Sequence, residues 1–453
     1  MSAVTSIRQR TAAWAVALFV GLVLCYGATS DRSGTSVDVA SASLASWSIA
    51  TTGDPWVEDV DLAGIGLERA GTDDVADLEQ ALFIGEAPNG HRVPHRSPGV
   101  IAAGVPAYVV AAAVGVDEFS FVPQALTAAL LTASAMTLFF LLLAGPVGRP
   151  TAALATLVLA LGTPLWSVAG SATWTHSVTV VGIVGLAWAA RREAWWLAGT
   201  FGGVAVWGRA HTALIVAAVG LGLAWSRRSP RVALVIGGVS GGFLAAASIW
   251  TRWAYGSWSP LGGYRSRTVA LGAGEDGWWA TAVNHLGFWA SPDRGLLVWT
   301  PLLLLLLPAV VRSWPRQPDW ARWLALGGLG YLLVQGQLNV FHGGDAFWGY
   351  RLPLETLACV APLYALAVPD AGRWARAALA PVIGLQVAAV SLGAVFDLGG
   401  MSQADAWRAN AFVHALVEQP LVVATWTGLV VVVCYLAAGV LTGRAARPEP
   451  RRP

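Results

Sequence analysis

Apolar stretches close to the ~20 residues that a helix needs to cross a bilayer recur along the whole chain. The 453-residue sequence is 56% hydrophobic and only 12% charged, about half the charged share of soluble domains. No polar segment is large enough to form a separate soluble domain. We therefore predict an all-α polytopic membrane protein in which residues 1–453 form a single integral membrane domain within the lipid bilayer.

The apolar runs and the positions of the arginines together predict the topology. We expect about twelve transmembrane helices, near residues 13–28, 123–144, 151–168, 176–190, 195–208, 210–225, 232–253, 295–311, 321–339, 353–368, 377–396 and 419–441. Both termini are then cytoplasmic, and residues 442–453 form a cytoplasmic tail. Seventeen of the 28 basic residues, all of them arginine, lie on the cytoplasmic side with only four of the 26 acidic residues, as the positive-inside rule requires.

The acidic residues concentrate on the other side of the predicted membrane. Residues 29–122 form the first extracytoplasmic loop, and twelve of the 26 acidic residues lie in it between Asp31 and Arg96. A second large extracytoplasmic loop is predicted over residues 254–294. Because the predicted cytoplasmic loops are short and hold mainly Arg, Pro and Trp, we expect any chemistry at the outer face.

One apolar segment of the first loop, residues 99–115, is short and rich in Gly and Ala, and it is followed directly by Asp117 and Glu118. If it crossed the membrane, Arg149 and the Arg191–Arg192 pair would lie outside. We therefore predict a juxtamembrane helix that dips in from the outer face.

Asp38 is the first candidate for chemistry. It lies at the start of a segment, residues 37–50, whose apolar spacing predicts a helix, with Gly53 as its stop and a turn at Asp54–Pro55. In the first turn of a helix, an acidic side chain can simply complement the helix dipole, so local pattern alone does not choose between the two roles.

A second candidate is the run from His91 to Gly99, which contains Arg92, His95 and Arg96 just before the predicted juxtamembrane helix. Helix N-termini favour anions, and the guanidinium fork of arginine matches phosphate oxygens. The run therefore predicts either a site for a lipid phosphate or a set of anchors that face the lipid head groups.

Other polar residues cluster at the predicted outer ends of helices. The candidate substrate-binding residues are Arg209, His211, Asp293, Arg294, His342 and Asp345. Charged residues within a membrane domain are costly and often functional, although snorkelling or a structural salt bridge explains each of them singly. The His/Asp groupings leave a divalent metal ion open as a cofactor, but His-x-x-x-His ligand spacing on a predicted helix is absent. No nucleotide-binding loop occurs, so ATP-driven transport has no support in the sequence.

These motifs resemble the multi-spanning GT-C glycosyltransferases, which use polyprenyl-phosphate sugars and include dolichyl-phosphate-mannose mannosyltransferase-like and aminoarabinose transferase-like enzymes. The resemblance rests on Asp38 soon after the first span, the Ser97-Pro98-Gly99 segment, the run from Phe288 to Pro301, and the glycine-rich run from Gly343 to Arg351. These motifs follow the family order over most of the chain at low density.

The resemblance implies a role for each matching residue. Asp38 would be the catalytic carboxylate that deprotonates the acceptor hydroxyl or binds a metal that does, with inversion at the sugar. Arg92, His95, Arg96 and Arg351 would bind the donor phosphate. Many relatives have Asp-Glu where this chain has Asp38-Val39, and whether Asp54 supplies the second carboxylate is left open. Where some relatives place a lysine on the phosphate, this chain offers only arginine.

The function expected from this resemblance is transfer of a sugar from a polyprenyl-phosphate donor to a glycan or glycolipid acceptor of the cell envelope, at the extracytoplasmic face. The Arg-only, Ala/Gly/Trp-rich composition is typical of a high-GC bacterium, which predicts the bacterial plasma membrane. No nucleic acid is expected as a partner. The alternatives are a polytopic transporter or lipid flippase, and a non-catalytic subunit of an envelope-assembly complex.

Overall fold

The computed structural model describes residues 2–33, 36–58, 60, 62, 75–263, 277–345, 347–396 and 398–445, and this part of the chain is almost wholly helical. The first half contains the helices α1 (Ser2–Ala28), α2 (Val37–Thr52), α3 (Val75–Ala81), α4 (Pro98–Ala113), α5 (Val122–Leu143), α6 (Arg149–Leu161), α7 (Thr175–Arg191), α8 (Trp195–Gly208) and α9 (Ala213–Arg227). One antiparallel pair, β1 (Ile84–Glu86) and β2 (Arg92–Pro94), lies between α3 and α4, with Gly85 opposite Val93.

The second half contains the helices α10 (Pro230–Tyr255), α11 (Gly277–Ala290), α12 (Leu296–Trp299), α13 (Leu302–Ser313), α14 (Asp319–Leu338), α15 (Leu354–Ala367), α16 (Arg373–Phe396), α17 (Ala411–Glu418) and α18 (Pro420–Ala445). Parts of the predicted loops and tail lie outside the described residues. The parts concerned are residues 63–74 of the first loop, 264–276 of the second loop and 446–453 of the tail.

Six of the described helices are long and apolar enough to cross a membrane. They lie at Gln9–Ala28, Val122–Leu143, Ala210–Arg227, Pro230–Tyr255, Arg373–Phe396 and Pro420–Gly439. The prediction of an all-α protein with membrane-spanning helices is thus confirmed at this level. Most of the other predicted spans are shorter or interrupted, whereas α14 has 20 residues but is not among these six apolar helices. The run 295–311, for example, is divided at Thr300–Pro301 into α12 and α13, because proline cannot donate its backbone nitrogen to a continuing helix.

The arginine-rich connections between helices lie together at one end of the bundle. Arg191 donates to the carbonyl of Leu142, and Arg227 lies 2.9 Å from Glu193. The indole of Trp323 donates to Ser226 at 3.0 Å, which links the α9 end to the start of α14. Further contacts join Arg312 and Arg316 to Asp370. The connections predicted to be cytoplasmic therefore share one end of the structure.

The predicted first loop has a fold of its own at the opposite end. The helix predicted over residues 37–50 is α2, which ends where Gly53 adopts a left-handed φ of 92°. The helix predicted over 99–115 is α4, and it packs on α2 where Ser46 donates to the carbonyl of Ile101 at 2.9 Å. A small apolar core lies beneath the β1–β2 pair, formed by Ala40, Leu44, Val57, Leu62, Leu82, Ile84 and Phe121. The two strands were not predicted from the sequence.

Candidate functional site

A cavity of about 300 Å³ lies where the first loop meets the helix bundle. Its wall is formed by Asp38, Phe83, Arg96, Val100, Trp174, Thr175, His176, Arg209, Leu338, Asn339, Val340, His342, Gly343, Arg351 and Leu352. Distant parts of the sequence therefore meet here: the start of α2, the segment after β2, the starts of α4 and α7, the end of α8, and the segment between α14 and α15. Pockets of this size accommodate a small polar ligand or a head group.

Asp38 lies between two arginines in this wall. Its Oδ1 accepts a hydrogen bond from Arg96 Nη2 at 2.9 Å, and its Oδ2 accepts one from Arg351 Nη1 at 2.6 Å. We call these three residues the Asp38 site. One third of the Asp38 side chain is exposed, so the carboxylate borders the cavity and is not sealed in the core.

Arg96 is fixed by several groups besides Asp38. Its guanidinium lies 4.0 Å from the centre of the Phe83 ring, and its Nη1 donates to the carbonyl of His95 at 3.1 Å. The Tyr255 hydroxyl donates to the carbonyl of Arg96 at 2.8 Å. Because these contacts do not involve the Asp38 carboxylate, the cation remains oriented toward the cavity even without it.

Arg351 is fixed by aromatic rings. Its guanidinium lies 4.7 Å from the centre of Trp174 and 5.3 Å from that of Phe347. The segment that presents Arg351 depends on glycine, because Gly344 and Gly349 have φ values of 108° and 86° that side-chain-bearing residues rarely adopt. The glycine-rich run identified in the sequence therefore gives the backbone the conformation that places Arg351 at the cavity.

A second polar group lies behind the cavity wall, formed by His176, Arg209 and Glu355; we call it the buried His–Glu–Arg cluster. Glu355 Oε1 lies 2.8 Å from His176 Nδ1 and 3.6 Å from Arg209 Nη1, and it accepts a hydrogen bond from Thr179 Oγ1 at 2.7 Å. Arg209 Nη1 also lies 3.2 Å from His176 Nε2. Glu355 is fully buried, so its charge is compensated here only through these partners.

The cavity as a whole favours an anion. Arg96, Arg209 and Arg351 outnumber the carboxylates of Asp38 and Glu355 by one positive charge, the histidines apart. Three helices, α2, α4 and α7, each contribute at least one of their first three residues to the wall, and helix N-termini carry partial positive charge. The balance of charge is thus suited to a monoanionic group such as a phosphodiester.

The arginines also decide the charge of Asp38. Burial by itself would raise the pKa of the Asp38 carboxyl, but the charges of Arg351 and Arg96 outweigh that effect and hold the pKa well below its usual range. Asp38 is therefore an ionised hydrogen-bond acceptor at neutral pH.

The predicted donor-phosphate residues separate into two groups. Arg96 and Arg351 lie in the cavity wall, whereas Arg92 lies on β2 and is paired with Glu79 away from the cavity. His95 is stacked on Tyr255, with ring centres 4.4 Å apart, and does not line the cavity. Of the four residues, the structure therefore brings only the two arginines to Asp38.

Asp54 lies at the far end of α2 from Asp38, about 20 Å away along a helix that rises 1.5 Å per residue. It is part of an exposed turn in which it accepts a hydrogen bond from Thr52. His211 lies behind Arg209, where it is stacked on Tyr331 and contacts Gln335. Neither Asp54 nor His211 lines the cavity.

Asp293 and Arg294 are fully buried and form a separate pair. Arg294 Nη1 donates to the carbonyls of Phe347 and Gly349, each at 2.9 Å. Asp293 accepts hydrogen bonds from the backbone nitrogens of Met401 and Ala411 at 3.1 and 2.8 Å. The Asp293–Arg294 pair therefore supports the segment that carries Arg351 and does not line the cavity itself.

The remaining candidates differ in position. His342 lines the cavity, and burial lowers the pKa of its imidazole. Asp345 is exposed and accepts hydrogen bonds from the backbone and side chain of Gln403 at 2.8 and 3.0 Å. Asp345 thus links two outer segments.

The residues of the Asp38 site do not fit a divalent metal ion. Both carboxylate oxygens of Asp38 already accept hydrogen bonds from arginine, and two fixed positive charges would repel the cation that a hard oxygen ligand set should attract. Among the described residues, no three His, Cys, Asp or Glu side chains are grouped as metal ligands.

Sequence reasoning missed His176 and Glu355, which were assigned to the predicted spans 176–190 and 353–368. A signal for Glu355 was present, because an acidic residue inside an apolar segment is costly and marks a functional or paired site. Phe83 and Trp174, which lie against the two arginines, carried no such signal, since aromatic residues are frequent throughout this chain.

No protein-family model, no curated protein sequence and no solved structure matches this chain.

Proposed function

We propose that this chain is a membrane glycosyltransferase of the GT-C type in the bacterial plasma membrane. It would cross the bilayer about twelve times, with both termini cytoplasmic and the cavity at the extracytoplasmic face. It would transfer a sugar from a polyprenyl-phosphate donor to a cell-envelope glycan or glycolipid. The observation that supports this most is the Asp38 site: an ionised carboxylate held by two arginines at the wall of an electropositive cavity.

In this proposal, Arg96 and Arg351 bind the donor phosphate. Transfer breaks the bond between the anomeric carbon and the phosphate oxygen, and negative charge develops on that oxygen. Guanidinium N–H groups that are already fixed on Phe83 and Trp174 stabilise this charge without reorganising. Arg209, held by the buried His–Glu–Arg cluster, adds a third positive charge to the same cavity.

Asp38 would act as the general base. It accepts the proton of the acceptor hydroxyl while the hydroxyl oxygen forms a bond to the anomeric carbon. The polyprenyl phosphate leaves from the opposite side, so the configuration at that carbon inverts. A positioned general base typically contributes about 10²–10⁴-fold to the rate.

A transporter or lipid flippase is the second candidate. The buried His–Glu–Arg cluster is the observation that favours it, because paired ionisable residues within a membrane domain also occur along transport pathways. Asp38 distinguishes the two functions: it is a reacting group in the transferase, whereas a transport pathway centred on Glu355 does not require a base at position 38.

The proposal is tested by complementation. A strain that lacks this chain should accumulate its sugar donor or its unmodified acceptor, and lipid profiling would identify which. Wild-type protein and the exposed control variant Asp117→Asn should restore the profile, whereas Asp38→Asn should lower product formation at least ~10²-fold at equal protein level. Full restoration of the profile by Asp38→Asn would exclude the assigned role.

A further inference from the structure

The two arginines assigned to the donor phosphate are the same two residues that donate hydrogen bonds to the Asp38 carboxylate. Both carboxylate oxygens are taken, Oδ1 by Arg96 and Oδ2 by Arg351. A phosphate oxygen that approaches these N–H groups therefore competes with the carboxylate. A carboxylate held in this way is also a weak base, because its proton affinity is lowered by both cations.

We propose that the donor anion displaces Asp38 from Arg96 and Arg351, so that the carboxylate becomes free to accept a proton only once the donor is bound. The identity of the anion as a sugar donor rests on the proposed function. The exchange of one anion for another on the two arginines does not.

The arginines are held in a way that permits this exchange. Arg351 is supported by the Trp174 and Phe347 rings, and its buried Nε has no hydrogen-bond partner among the described residues. Arg96 is supported by Phe83 and by the carbonyl of His95. Ring contacts do not use the guanidinium N–H groups, which point outward in the plane of the guanidinium, so both cations can receive a new anion without losing their place.

Asp38 can move while the arginines stay. It lies in the first turn of α2, and one third of its side chain is exposed. Its backbone carbonyl still accepts a hydrogen bond from Arg96 Nε at 3.2 Å, which keeps the helix start in place when the carboxylate rotates. The displaced carboxylate would remain at the cavity wall, within reach of an acceptor hydroxyl.

The coupling is reciprocal, because two anions that compete for the same cations weaken each other's binding. Removal of the Asp38 charge should therefore tighten anion binding while it abolishes transfer. Wild type and a variant without the Asp38 charge share the other charged or titratable groups around the site, so these groups contribute equally to both proteins. They are Arg209, His176, Glu355 and His342.

The experiment measures binding of geranyl methyl phosphate, a short prenyl phosphodiester that keeps one negative charge over the working pH range, to the purified full-length protein by equilibrium dialysis. Asp38→Asn should bind the probe roughly tenfold more tightly than wild type, within the usual range of coupling between sites. Asp117→Asn should bind like wild type, and Arg351→Gln should bind at least several-fold more weakly. Equal or weaker binding by Asp38→Asn would overturn the exchange.

A second measurement covers the case in which Asp38→Asn does not fold. In the wild type, the anion-bound form has the freer and more basic Asp38, so probe binding should tighten as the pH falls from about 5 to 4. A flat profile over this range contradicts the proposal. Tight probe binding by Asp38→Asn together with unimpaired complementation would support the exchange and reject Asp38 as the general base of the transfer, so the two failures are distinguishable.

Discussion

The molecule contains two Asp–Arg sites that differ in how they are assembled and in what they contact. At the Asp38 site, the carboxylate and its two arginines come from three separate segments and border a cavity. At the Asp293–Arg294 pair, neighbouring residues are fully buried, and their remaining polar atoms bind backbone groups of other segments. The first arrangement leaves N–H groups and a carboxylate available to a ligand, and the second uses them within the protein.

The two carboxylates also respond oppositely to their surroundings. Burial raises the pKa of Asp293, and the nearby charge of Arg294 only opposes this effect. At Asp38, burial acts in the same direction, but two arginines reverse it. In a single buried pair, the cost of desolvation and the attraction between the charges are therefore nearly equal. Two cations around a partly exposed carboxylate instead keep that carboxylate ionised.

The largest expected effect is a loss of stability when Arg294, which supports the fold, is replaced, compared with replacement of Arg351, which borders the cavity. Arg294→Gln leaves Asp293 buried without its cation and removes donors from the carbonyls of Phe347, Gly349 and Met401. We expect it to lower the free energy of unfolding by about 3–5 kcal/mol, measured as thermal unfolding in detergent. Arg351→Gln, at the cavity, should cost about 1 kcal/mol or less.

The exposed Arg408→Gln is the matched control for Arg294→Gln and should unfold like wild type. If Arg294→Gln and Arg351→Gln were equally stable, the distinction between a supporting pair and a ligand-binding pair would be lost.

An intermediate effect is expected at the buried His–Glu–Arg cluster. Glu355→Gln keeps an acceptor for Thr179 but removes the charge that Arg209 and His176 face. We expect a loss of about 2–3 kcal/mol in unfolding free energy, with the exposed Glu118→Gln as control. Unchanged stability would show that Arg209 is compensated by other groups.

The sequence predicted what depends on neighbouring residues. The helix α2, its end at Gly53 and the helix α4 follow from local spacing and from the low cost of positive φ at glycine. Asp38 and the glycine-rich run before Arg351 were also identified as candidates from the chain itself.

What the sequence could not predict depends on contacts between distant segments. Asp38 and Arg351 are 313 residues apart, and only the packing of α2 against the 338–352 segment brings them together. Arg92 and Arg96 belong to one motif, yet the first pairs with Glu79 on the β1–β2 side and the second reaches the cavity. Local spacing does not distinguish them, because the strand β2, which contains Arg92 and ends before Arg96, was itself not predicted.

The smallest expected effect is the response of stability to acid. Because the folded-state pKa of Asp38 lies below its unfolded value, near 3.9, its two ion pairs stabilise the protein above that pH. Their contribution is lost as the pH falls toward the folded-state pKa. For a partly exposed carboxylate this contribution is on the order of 1 kcal/mol.

Asp38→Asn should therefore lose less stability than wild type and Asp117→Asn between about pH 5 and 3, measured as thermal unfolding in detergent. The raised pKa of Asp293 gives the opposite slope, since its contribution is lost as the pH rises. An acid response in Asp38→Asn as steep as in wild type would mean that the two arginines do not stabilise the Asp38 charge, and the contrast between the two Asp–Arg sites would fail at its most direct electrostatic test.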